Sequence, residues 1–317
     1  MRFRLADSLD YIFAATGALI DIGREDAGRL VAAIRARRQS PHMFGAYYQL
    51  VLALEEEDHA RARGLAAELL ATGPAQGLDI FPLQRETKTR QQRLLEMLLS
   101  ESTTCHPVDT QEFEESLARI EAALALLDRG FPELAAEIRA LLCQIVLGAG
   151  PEDPKARTFD GASAYTLWGA VLLNSRGQDS VLDTAQALAH ESGHNLLFGF
   201  CAHESLVDNP DEELFDSPLR ADPRPMDGVF HATYVIARMH MTLSRLLEAG
   251  VLEPRQQEQA AKDLAAHRRN FAAGDDVIRK SGRLTQTGRA AIAAAREHMA
   301  AAQRASGSAC HSRRDLC

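Results

Sequence analysis

The stretch TAQALAHESGHNLLFGF, Thr184 to Phe200, decides how this chain is read, because it places two histidines one helical turn apart with a glutamate after the first. Ser180 and Asp183, three residues apart, have the spacing of a helix-opening capping box, and Leu182, Ala185, Ala189, Leu196 and Phe200 recur at helical spacing as a core stripe. His190 and His194 share another face, with Cβ atoms roughly 5–6 Å apart, so two imidazoles can converge on one ion at about 2.0–2.1 Å. Glu191 is rotated about 100° from His190. It therefore reaches a water or substrate beside the ion, the general-base position in hydrolases with this HExxH spacing. Gly193 leaves room for a second element to come close, and Gln186, one turn before His190, can orient an imidazole or face solvent.

Composition bounds what surrounds this helix. A chain of 317 residues, 46% hydrophobic and 25% charged, can bury the core of one large domain or two ordinary ones. Its 35 basic against 44 acidic side chains give a net charge of −9, which lacks the basic footprint of a nucleic-acid or anionic-membrane binder. The apolar run Tyr11 to Ile20 is too short for a membrane span, and Asp7, Asp10 and Asp21 break the charge pattern of an export signal, so a cytoplasmic location is expected. Cys105, Cys143, Cys201, Cys310 and Cys317 are odd in number and scattered, which reads as reduced thiols.

Apolar residues at steps of three and four predict packed helices through Ala27, Leu30, Val31 and Ile34, through Leu117, Ile120, Leu124 and Leu127, and through Leu134, Ile138, Leu141 and Ile145. Gly, Pro and charge cluster most densely at 148–161. A boundary there separates a helical region, 1–150, with possible peptide-binding use, from a metal-binding catalytic domain, 151–306, and a flexible tail, 307–317. AYTLWGAVLLNS, 164–175, is the best strand candidate. The expected fold is mainly α, with a small zincin-like α+β domain around the HExxH helix. Tyr165 and Trp168 read as strand packing, Cys201 as a small core residue, and His240, His267 and His298 as residues outside the metal site.

Three residues compete as third ligand. His203 lies nine residues past His194, but the zincin variant with a third histidine needs Gly and His where this chain has Leu197 and Phe200. Glu213, with eighteen intervening residues, has the gluzincin spacing, yet sits among prolines and acids in DNPDEELFDSP. His231 is the strongest, since it opens an amphipathic helix with Asp227 as its expected cap and shares a face with Val235, Arg238 and Thr242.

ALAHESGHNLL together with SPLRADPRPMDGVFHATYVIARM resembles a family of HExxH-motif peptide-modification proteins that act on ribosomally made peptides. The matching elements beyond HExxH are Ser217, Pro218 and Arg220, then Arg224 and Pro225, then Gly228 and His231, and the likeness covers about 165–245. The resemblance implies a metal-dependent enzyme acting on a precursor peptide, with iron- and 2-oxoglutarate-dependent β-hydroxylases among its members, and it favours His231 over Glu213. His190, His194 and His231 would then hold Fe(II), with Glu191 beside them. Arginine is the best fork for the co-substrate's distal carboxylate, and Arg238, Arg220 and Arg224 are the candidates, each with ordinary pairing to Asp216, Asp222 or Asp227 as the alternative. A neutral imidazole triad suits zinc as well as iron. A zinc peptidase with Glu191 as base is therefore the second expectation, and a non-enzymatic helical binding protein the third.

Overall fold

The structure, a computed structural model, describes residues 1–83, 105–151, 159–217 and 222–314, with side chains to 304. Ten α-helices and six short strands appear among the described residues, so the chain is mainly helical with a small sheet. None of those helices is long and apolar enough to cross a membrane. The chain forms two compact units, one of 1–118 with 139–179 and the other of 119–138 with 180–317. This interleaving differs from a single cut near residue 150, and backbone pairing explains why. Residues 144–148 hydrogen-bond to strands on both sides, at 79–82 and at 170–174, so a cut at 150 would divide one sheet.

In the first unit, α1 (Arg2–Thr16), α2 (Arg24–Ala36), α3 (Pro41–Glu55) and α4 (His59–Ala71) pack around Leu9, Ile34, Met43, Leu50 and Leu69. Pro41 starts α3 with its φ already set, and Asp58 caps α4 by accepting the Arg61 N–H at 3.0 Å. The sheet has the order β1 (Asp79–Pro82), β2 (Gln144–Gly148), β4 (Ala170–Asn174), β3 (Gly161–Ala162), with only β3 antiparallel. Every residue of β4 is buried, which explains its unbroken apolar run.

Two helical and strand expectations shift here. Ile145 belongs to β2 and not to a helical stripe, because the β-branched pair Ile145–Val146 finds strand partners on both sides. The predicted strand at 164–175 begins only at Ala170, after a 3-10 turn at Tyr165–Leu167 and a bend at Gly169 with φ +94°, a value side chains resist. Trp168 packs edge-on against Phe44 of α3, at 5.5 Å between ring centres, while Tyr165 is 45% exposed.

The second unit holds the end of α5 (Thr110–Gly130), most of α6 (Pro132–Leu141), then α7 (Val181–Phe200), α8 (Met226–Glu248), α9 (Pro254–Ser281) and α10 (Gln286–Arg314), with a two-stranded ladder of β5 (Leu214–Phe215) and β6 (Arg224–Pro225). Leu197, Phe230, Val235, Ile236, Phe271, Ile278 and Ile292 form its core. Gly288 is required because a Cβ there would lie 1.9 Å from the Leu206 carbonyl oxygen, so the loop seats directly on α10. The tail expected to fray from 307 continues as α10 to Arg314, since no proline interrupts that run; 315–317 lie outside the described residues. The motif helix and the sheet fall in different units.

Three helices of this unit share a second histidine cluster. His240 of α8 is fully buried, its Nδ1 3.0 Å from His298 Nε2 of α10, and neither His240 Nε2 nor His267 Nδ1 of α9 has a hydrogen-bond partner among the described residues. Burial, aided by His298, Arg268 and His267, lowers His240 to about 3, and burial lowers His267 to about 4 and His298 below its usual value. All three are depressed below the ordinary 6.5, so their neutral forms stabilise the fold fully above that pH, and protons that bind the unfolded chain first remove that stability as pH falls towards 4. The melting temperature should therefore drop between about pH 6.5 and about pH 5, before most carboxylates titrate, and His240→Gln should flatten that slope. A wild-type profile that stays level across the window would contradict the buried neutral cluster.

Candidate metal centre

Helix α7 opens as the spacing predicts, with Ser180 Oγ accepting the Asp183 N–H at 3.1 Å. The reciprocal half differs: the Asp183 carboxylate accepts from the Ser180 hydroxyl at 2.7 Å and from Gln259 Nε2. Leu182, Ala185 and Ala189 are buried as expected, but Leu197 takes the place assigned to Leu196, and Phe200 is 40% exposed.

Helix α8 enters from Pro225 with no side-chain cap; Asp227 lies inside the first turn, where its charge favours the helix N-terminus without capping it. His231, Val235, Arg238 and Thr242 are buried on one face, in line with their spacing. This face meets α7 where Gly193 removes a side chain. A Cβ at Gly193 would stand 2.9 Å from Arg238 Cδ and 3.0 Å from Val235 Cγ1.

Across that seam three imidazoles come together. His194 Nε2 lies 3.1 Å from His190 Nε2, and His194 Nδ1 lies 2.9 Å from His231 Nδ1. The His194 and His231 rings stack with 15° between planes, and Phe198 covers His231 at 5.3 Å between centres. Burial holds His194 far below the usual imidazole range, with His190 and His231 adding to the effect; burial also lowers His231, against the pull of Asp227. Both rings are therefore neutral at pH 7, the form that offers a lone pair to a metal.

The nitrogen positions divide the trio. Two ligand nitrogens sharing an ion at about 2.0–2.1 Å sit roughly 3–3.4 Å apart, and the His190–His194 Nε2 pair at 3.1 Å matches. His231 instead meets Nδ1, a different edge of the His194 ring. In this arrangement it holds His194 in orientation, and among the described residues no group of three or more His, Cys, Asp or Glu is set to hold a metal ion. Glu191 is 3% exposed, with Oε1 3.9 Å from His190 Nε2, beside the pair.

The remaining candidates separate. Arg238 is 7% exposed and pairs with Glu137 of α6, not with Asp216, Asp222 or Asp227. Arg224 pairs with Asp222 at 2.8 Å, and Arg220, like Pro218, lies outside the described residues. Gln186 donates to Asp263 Oδ2 at 3.0 Å, so it orients no imidazole. Glu213 accepts from Asn209 and Arg283, which engages the carboxylate elsewhere, and His203 is exposed. Burial raises the Cys201 thiol to about 11, which suits packing and not nucleophilic work. Cys105, Cys143 and Cys201 are free thiols. Phe198 and Glu137 were missed: the first follows His194 by one turn, a readable spacing, while the second is 101 residues from Arg238 and carries no local signal.

Filling the seam tests its closeness. Gly193→Ala gains about 1 kcal/mol of helix propensity, against overpacking of roughly 1–3 kcal/mol, so a net loss of about 1 kcal/mol is expected in urea unfolding. Gly193→Val lacks most of that gain and should lose about 2 kcal/mol or more. An alanine variant more stable than the parent would mean that α7 and α8 do not touch there. No protein-family model matches the chain, and no curated protein matches it, so the site's chemistry rests on its own residues.

Proposed function

We propose that this chain is a metal-dependent enzyme that modifies a ribosomally made precursor peptide, by side-chain β-hydroxylation with Fe(II) and 2-oxoglutarate. The observation that carries the metal is the meeting of three imidazoles from two helices, His231 buried and His190 and His194 half-buried, with nitrogens 2.9 and 3.1 Å apart. The co-substrate and the peptide come from the resemblance over 165–245. His190 and His194 would offer Nε2 to the ion, with His231 packed on the Nδ1 edge of His194 as the third imidazole. Bound iron with 2-oxoglutarate supplies oxygen insertion into a C–H bond. Phe198 covers the His231 ring, the Arg238 guanidinium, now paired with Glu137, would take the co-substrate carboxylate, and Glu191, buried next to His190, would act on water or substrate there.

The runner-up, a zinc peptidase with Glu191 as general base, is favoured by the all-imidazole donor set and by Glu191 standing 3.9 Å from His190. Mass spectrometry separates the two. A peptide heavier by one oxygen atom, formed as 2-oxoglutarate and dioxygen give an equivalent each of succinate and carbon dioxide, supports hydroxylation; two shorter fragments support hydrolysis and overturn the first reading. His190→Ala should lose the metal and all turnover, and unchanged metal content and turnover in that variant would remove both enzyme readings. His231→Asn resolves the third ring: a loss of about 10–100-fold in metal affinity marks a ring that orients His194, whereas loss of stoichiometric metal marks a ligand.

A further inference from the structure

Arg238 and Glu137 are an unequal pair. The arginine side chain is 8% exposed and pinned, its stem filling the space over Gly193, whereas the glutamate is 34% exposed on α6. Their contact uses only part of the arginine. Glu137 Oε1 accepts from Nη2, while Nε, on the same edge of the guanidinium, is buried with no hydrogen-bond partner among the described residues. That edge is the one on which a planar carboxylate makes two parallel bonds. Tyr234, one turn earlier on the same helix, is buried as well.

A buried guanidinium cannot be left without an anion, because stripping its partner leaves an uncompensated charge. A partly exposed partner that fills half of the available edge is therefore exchangeable for a carboxylate that fills all of it. We propose that Glu137 is a built-in stand-in at a carboxylate-binding subsite formed by the Nε/Nη2 edge of Arg238, and that a 2-oxo dicarboxylate displaces it. Glu137 then sets the affinity of this subsite from outside the reacting centre, as a positioning residue. The inference deepens the proposed hydroxylase and rests on it for the identity of the ligand, but not for the exchange itself.

The test needs no metal and no turnover. Isothermal titration of the metal-free full chain with 2-oxoglutarate, and separately with succinate, gives affinities for the parent, Glu137→Gln and Arg238→Lys. Removing the internal competitor should tighten binding roughly fivefold to tenfold in Glu137→Gln. Arg238→Lys, which cannot offer the fork, should weaken it by about tenfold or more. Glu137→Asp, which keeps the charge but withdraws it by a methylene group, should also tighten binding and serves if Glu137→Gln does not fold. Equal or weaker binding by the folded Glu137 variants overturns the exchange, as does absence of binding in parent and variants alike. A chain that binds dicarboxylates in this pattern but adds no oxygen to peptide would keep the subsite and lose the hydroxylase.

Discussion

The second unit is organised by the close approach of α7 and α8 at Gly193. Side chains elsewhere on these helices would hold the axes apart, whereas a bare Cα lets Val235 and the stem of Arg238 lie against the motif helix. That contact sets the register in which His194 faces His231 and places the Arg238 guanidinium beside α6. A methyl group changes packing energies on the scale of a kilocalorie. Imidazole nitrogens held within about 3 Å of one another are more demanding still, since hydrogen bonding and ligation weaken steeply with misplacement. The site is thus a consequence of a backbone approach, and the histidines report it.

Much of the helical architecture was legible because its cause is local. Leu30, Val31 and Ile34 are buried where a 3.6-residue period puts them, and Ser180 caps α7 because a hydroxyl there meets an otherwise unpaired N–H. What was not legible depends on partners distant in the chain. Ile145 fits a helical stripe by spacing, and only its pairing with Val171 and Ile80 makes it a strand residue. The same holds for the division of the chain: the apolar run at 119–138 reads as continuous with what precedes it, yet Gly130 packs on Leu246 and Val251 of the second unit.

The site divides in the same way. The one-turn relation of His190 and His194 follows from sequence spacing alone, and the face shared by His231, Val235 and Arg238 was readable by the same rule. Which nitrogen meets which was not readable, because ring rotation is chosen by packing from Phe198 and by burial. Arg238 could be singled out by its place on the helix, but its partner Glu137 comes from α6, and the three nearby aspartates offered a plausible local pairing that tertiary packing overrode.

The chain also carries an internal control for the metal reading. Two partly buried histidine contacts occur in the same unit, His194–His231 at 2.9 Å and His240–His298 at 3.0 Å, and distance alone does not distinguish them. Their surroundings do. The first has carboxylates at its ends, Glu191 3.9 Å from His190 and Asp227 3.9 Å from His231, while the second is flanked by Arg268 at His240 and by Arg245 at His298, with Glu248 opposing the latter. A divalent ion is drawn to imidazoles backed by negative charge and repelled by guanidinium groups in a poorly screened interior. The two histidines on opposite faces of α8 therefore sit in opposite charge surroundings, acidic beside His231 and basic beside His240, and nitrogen geometry alone does not express that difference.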